Sequence, residues 1–144
     1  MMDPFNLRRF VVAQDDVFES VLSELRAGIK RGHWMWYIFP QIQGLGRSAM
    51  SQTYAIGSRD EARAYAEHQV LGQRLRECTQ LVMAVHGRTA TQIFSSPDDL
   101  KFQSCMTLFE QSATDPALFR AALLDYFDGE PDHLTLHILG REET

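Results

Sequence analysis

Lysine is nearly missing from this chain: Lys30 and Lys101 are the only two, against twelve arginines in 144 residues. Cysteine is equally scarce. Cys78 and Cys105 stand far apart and form no CxxC pair, which argues against a disulfide framework and a Cys-based zinc site. Long apolar runs are missing too. The longest, Trp34 to Phe39, falls far short of the ~20 residues a membrane span needs. Met1 to Phe10 holds Asp3 and two arginines and lacks the apolar core of a secretory signal. These absences point to a reduced, cytoplasmic protein with no membrane partner. An excess of positive charge is also lacking. The net charge is −5; the stretch from Glu110 onward carries −6 and the remainder +1. A duplex-binding domain has a strongly basic face. The only tight basic cluster here is Arg26, Lys30, Arg31 and His33. Nucleic acid is therefore disfavoured as a partner, whereas a local anion site is not.

What is present is the composition of a folded globule, 44% hydrophobic and 23% charged. A chain of this length buries roughly two thirds of its unfolded surface, so residues 1–144 read as one domain. Helix signals dominate. Asp3-Pro4 starts a short helix through Val12. Asp15-Asp16 reads as an N-cap, with Glu19 completing a capping box. Val17, Phe18, Val21, Leu22, Leu25 and Ile29 then repeat at helical spacing. Ser58 with Glu61 starts another helix, and Leu71 to Val85 a longer one. Ser96 caps a helix opened by Pro97, Asp98 and Asp99, whose apolar side is Phe102, Cys105, Met106 and Phe109. Asp115-Pro116 repeats that start, and Asp132 caps a last short helix. The expected fold is all-α, about six to eight helices in antiparallel or superhelical packing.

One stretch breaks the pattern: HWMWYIFPQIQGLGRSAMSQTYAIG, residues 33–57. Pro40 forbids a helix through it, and Gly44 and Gly46 mark a turn. Residues 34–39 fit either a buried strand or a short buried helix. With no second strong strand nearby, a helical end followed by an ordered loop at about 40–57 is the better expectation.

That stretch resembles the signature of an uncharacterised family, domain of unknown function 1810, some members of which have been labelled "calpastatin". DPFNLRRFVVAQ, LGQRLRECTQLV and DDLKFQSCMTLF are similar to the family's other blocks, in order, so the resemblance spans about Asp3 to Leu139. The run IFSSPDD departs from the family's more usual IFG. The resemblance implies a small, mostly helical fold reminiscent of helical-repeat superhelices, and it implies no activity. Calpastatin is an intrinsically disordered inhibitor, and this composition is not that of a disordered chain.

Chemistry concentrates in residues 33–57. Large aromatics dominate cores, so core packing is the structural alternative for Trp34, Met35, Trp36, Tyr37 and Phe39. The polar residues among them, His33, Gln41, Gln43, Arg47, Ser48, Ser51, Gln52 and Tyr54, offer more donors than a packed core uses. Such a set suits a pocket that stacks a flat ring and hydrogen-bonds its edges. Gly44-Leu45-Gly46-Arg47-Ser48 is a weak anion loop, in which Ser48 caps a following helix and Arg47 grips an acidic group. The alternative is a tight turn with a solvated arginine. It is neither a Walker loop nor a dinucleotide fingerprint, and no cofactor is expected. Lys101 and Ser104 share a helix stripe with Leu108. Lys101 serves as a ligand anchor, or simply as the i,i+3 ion-pair partner of Asp98. His133 and His137 have a metal-compatible spacing without a third ligand, so no metal is assigned. His68 and His86 read as surface or helix-end residues.

The candidate ligand-binding residues are therefore His33, Trp34, Trp36, Gln41, Arg47, Ser48, Tyr54, Lys101 and Ser104. No residue is designated catalytic. The expected function is binding of, or action on, a small anionic, ring-bearing, nucleotide-like molecule. The second reading is a helical protein-interaction module without catalysis, whose protein partner the sequence does not name.

Overall fold

The computed structural model describes residues 2–141. Among them the chain forms ten helices and no named strand: α1 Arg8–Asp15, α2 Phe18–Ala27, α3 Met35–Ile38, α4 Ala49–Thr53, α5 Arg59–Glu67, α6 Leu71–Met83, α7 Ala90–Phe94, α8 Asp98–Ser112, α9 Ala117–Phe127 and α10 His133–Arg141. The expected all-α single domain is present, with more helices than the six to eight expected. The excess comes from α3 and α4, which are four and five residues long, too short to show a hydrophobic period.

Helix α8 is the centre of the packing and touches α5, α7, α9 and α10. Its expected apolar side, Phe102, Cys105, Met106 and Phe109, is fully buried, and Ser104, Thr107 and Leu108 are buried too. From Ser104 to Phe109 every residue is buried, so that stretch of the helix has no solvent face to spare. Two of its buried hydroxyls are satisfied locally: Ser104 donates to the Leu100 carbonyl at 3.1 Å and Thr107 to the Gln103 carbonyl at 2.8 Å.

Several helix starts differ from expectation. Asp16 does not cap α2, whose N-cap is Val17 without a side-chain bond. Its neighbour Asp15 instead pairs with Arg74 at 2.9 Å. Ser96 does not cap α8, which Pro97 precedes. Helix α1 begins at Arg8 because the Asp3 carboxylate accepts the N–H groups of Leu7 and Arg8, at 2.8 and 3.0 Å, from a turn lying before it. Other starts fall as expected. Ser58 accepts from Glu61 N–H at 3.1 Å, and Asp132 accepts from Thr135 N–H at 3.2 Å. Helix α7 carries a full capping box between Thr89 and Gln92.

Residues 34–39 resolve as one helical turn. Helix α3 buries Met35, Tyr37 and Ile38 and leaves Trp36 half-exposed. Trp34, Phe39, Phe94 and Phe102 form a continuous aromatic cluster, with the Phe94 and Phe102 rings stacked 4.8 Å apart. The adjacent tryptophans thus part company: Trp34 joins the core and Trp36 faces the surface.

Candidate functional site

Beyond Pro40 the chain makes a closed loop. Gln43 N–H donates to the Ile56 carbonyl and Ile56 N–H to the Gln41 carbonyl, both at 2.8 Å. Arg9 of α1 fastens the loop's return limb. Its guanidinium donates to the Thr53 and Ala55 carbonyls at 2.9 and 2.8 Å and to Glu61 of α5 at 2.9 Å. Gly44, at φ 106°, takes a backbone conformation that side-chain-bearing residues rarely adopt, and a Cβ on Gly46 would meet the Ser51 side chain at 2.5 Å. The loop carries α4 on its outer edge, and that helix buries no residue.

Between this loop and α3 lies a narrow cleft lined by Trp36, Gln41, Gln43, Gly44, Gly46, Ser51, Gln52 and Tyr54. It leaves about 20 Å³ for the centre of a water molecule, room for about one water. Trp36 is one wall. Tyr54 packs against Tyr37 and Phe10, with ring centroids 5.2 and 5.8 Å apart. The Lys101 ammonium sits 5.2 Å above the Trp36 ring, a cation–π contact.

Lys101 is set by a charge cluster that sequence reasoning did not assemble. Asp98, at the start of α8, binds Lys101 through Oδ1 at 3.3 Å and Lys30 through Oδ2 at 2.9 Å. Lys30 also lies 5.1 Å above the Trp34 ring. Next to it, Glu24 Oε1 accepts from Arg31 N–H at 2.6 Å, Gly32 N–H at 2.8 Å and the Trp34 indole at 3.0 Å. Burial opposes the Glu24 charge. The two backbone N–H groups, the indole and the Lys30 charge outweigh it and hold the carboxyl below the ordinary carboxylate range. The only sequence signal for this cluster was the near-absence of lysine together with the i,i+3 spacing of Asp98 and Lys101.

The candidate residues thus separate. Trp36, Gln41 and Tyr54 share the cleft, and Lys101 stands over its tryptophan wall. Arg47 and Ser48 lie exposed on the outer loop and do not line the cleft. Ser48 caps α4, accepting from Ser51 N–H at 3.1 Å, and the Arg47 carbonyl accepts from the Gln52 side chain at 3.0 Å. His33 is exposed on the loop before α3. Trp34 is buried and committed to Glu24. Ser104 lies under α10, donating to Asp132 at 3.0 Å. Arg9 and Gln14 serve the frame: the Gln14 amide donates to the Tyr37 carbonyl at 2.7 Å and to the Tyr65 hydroxyl at 3.0 Å.

Other chemistry is quiet. Both thiols are buried, and burial raises their pKa values, Cys78 to about 12 and Cys105 well above the ordinary range. His133 pairs with Glu130 and His137 accepts from Arg141. No group of three metal-capable side chains occurs among the described residues. No helix among them is long and apolar enough to cross a membrane.

The chain is similar to a crystal structure of a conserved hypothetical protein, Rv1873, from Mycobacterium tuberculosis. The two share 51% identity and superpose with a TM-score of 0.95, covering 96% of this chain and 99% of the other. No curated protein matches the chain. The model of the family described as "Protein of unknown function (DUF1810)" matches residues 4–139, and with nearly the whole chain inside that match, the protein belongs to this family.

Proposed function

We propose that the cleft beside α3 binds a small, anionic, ring-bearing molecule of nucleotide-like chemistry. The observation that carries this reading is the meeting of Trp36 with Lys101 at the edge of a cleft lined by Gln41, Gln43, Gln52 and Tyr54. The Gln41 and Gln43 side chains and the Tyr54 hydroxyl have no hydrogen-bond partner among the described residues. Amide groups of that kind read the edge of a heterocycle, and Trp36 offers it an aromatic surface. Lys101 supplies charge for the acidic group. Asp98 divides its two oxygens between two lysines and takes the shorter contact with Lys30, so it neutralises Lys101 only in part.

The cleft as it stands admits about one water, so a ligand must displace the loop. Helix α4 has no buried residue to pull out, and moving it sacrifices little apolar burial.

A thermal-shift screen of nucleotides and sugar phosphates tests the reading. A ligand at a hundredfold excess over Kd stabilises the native state by roughly 2.7 kcal/mol. Stabilisation by a nucleotide, lost in Lys101→Ala, supports the cleft; no shift across the screen counts against it.

A different observation favours the second reading, a helical protein-interaction module without catalysis. An open groove between the N-terminal segment, α1 and the α5–α6 corner offers about 620 Å³ and is lined largely by apolar groups, among them Met2, Pro4, Phe5, Leu7, Val11 and Val70. That is the kind of surface an interaction module presents. In either reading we place the protein in the cytoplasm.

A further inference from the structure

The corner between α5 and α6 holds a half-buried imidazole in an unusual task. Helix α6 has no side-chain cap at its N-cap residue, Val70. The N–H groups of Val70 and Leu71 would be orphans at a helix start. Both instead donate to one atom, His68 Nδ1, at 3.1 Å each. An imidazole nitrogen accepts hydrogen bonds only when it carries no proton. His68 therefore caps α6 as the neutral tautomer with its hydrogen on Nε2.

We infer that His68 is a proton-operated clasp, which caps α6 when neutral and, when protonated, releases it and turns to Asp3 across the N-terminal groove.

Adding a proton at Nδ1 converts the shared acceptor into a donor facing two donors. It also places positive charge at the positive end of the α6 dipole. Both effects expel the imidazolium from its cap. The groove offers it a counter-charge, because Asp3 and His68 line the same groove. The Asp3 carboxylate is held ionised chiefly by the N–H groups of Leu7 and Arg8, so it remains an anion throughout histidine's range. Other charged groups near the imidazole come from α1 and from the end of α5. Arg8 shares the groove and opposes an imidazolium, whereas Arg9 is committed to Glu61. Ala64 and Val70, which complete the groove from α5 and the corner, bring no charge. Glu67, next to His68, is occupied by the Thr114 hydroxyl at 2.8 Å. Histidine is the side chain that exchanges a proton around physiological pH. The outcome is a corner that loosens, and a groove whose wall rearranges, as pH falls from about 7.5 to 5.

Nitrogen-15 NMR of the imidazole, read beside amide exchange protection of Val70 and Leu71 across that range, tests the clasp. At pH 7.5 Nδ1 should be unprotonated and both amides protected. At pH 5 the protection should fall about two- to tenfold, as expected for a lost hydrogen bond. In Asp3→Asn the same loss should occur at lower pH. In His68→Asn, which keeps an acceptor that does not titrate, protection should no longer follow pH. A proton on Nδ1 at pH 7.5 would overturn the inference. So would unchanged protection of both amides once the wild-type imidazole is protonated. If the variants fail to fold, the wild-type titration alone decides.

Discussion

Lys30 and Lys101, the only lysines in the chain, meet at one carboxylate. Asp98 binds the first at 2.9 Å and the second at 3.3 Å, and each ammonium also lies over a tryptophan, Trp34 and Trp36 respectively. One lysine belongs to the frame and the other to the cleft. The Lys30 side chain is 9% exposed and that of Lys101 24%.

That difference predicts different consequences for the two substitutions. Lys30→Met leaves Asp98 and the Gly32 carbonyl with a missing partner in a largely desolvated place. It should cost about 1–3 kcal/mol, between the exposed and buried limits for ion pairs. Lys101→Met should cost at most about 1 kcal/mol. Chemical denaturation of both variants checks the order; equal losses would contradict the division of labour.

Glu24 predicts an acid limb of stability. Its carboxyl has a lower pKa folded than unfolded, so its contribution is fully present above the unfolded value, 4.5, and is lost as pH falls through the folded one. Glu24→Gln should therefore be destabilising at pH 7, and the gap from wild type should narrow below about pH 4.5. Denaturation midpoints measured from pH 7 to pH 3 test the sign. A gap that widens in acid would refute it.

Leu22 lies on the buried side of α2 at 5% exposure. Leu22→Ala should cost roughly 2–5 kcal/mol. A loss under about 0.5 kcal/mol in a denaturation curve would place the residue outside the packed core.

Ser112, at the end of α8, has a buried hydroxyl without a hydrogen-bond partner among the described residues. An unsatisfied buried hydroxyl is a cost to the fold. Ser112→Ala should therefore be neutral or stabilising by up to about 1–2 kcal/mol. A melting temperature lowered by several degrees would show that the hydroxyl has a partner after all.

The sequence made the helices legible where periodicity and caps agree. Val21, Leu22 and Leu25 fall on one buried side of α2, and Ser58 and Asp132 cap where their spacing says they should. A cap failed where a long-range partner outbid it: Asp15 went to Arg74. Asp98 took the i,i+3 partner its spacing offers, Lys101, and also the distant Lys30. The two long-range pairings leave no local trace in a sequence. The same holds for the cleft. Gln41, Tyr54 and Trp36 were legible as a polar and aromatic concentration around two glycines. The residues that frame it, Arg9 and Lys30, reach it from distant stretches through contacts to backbone carbonyls and to Asp98. Trp34 took the core position that the sequence left open as its alternative, and Trp36 the surface, because neighbouring residues around a single helical turn face different ways. One turn is too short to show which of them is buried.

The two tryptophans make the most direct test of the proposed cleft, because each gives its own indole N–H signal. The Trp34 indole is tied to Glu24 in the interior, and Trp36 lines the cleft under Lys101. In a proton–nitrogen NMR titration with adenosine monophosphate, the Trp36 indole should shift saturably while the Trp34 indole stays in place. Lys101→Ala should weaken that binding about ten- to a hundredfold. No saturable shift at Trp36, or binding untouched by Lys101→Ala, would contradict an anion-binding cleft at this site.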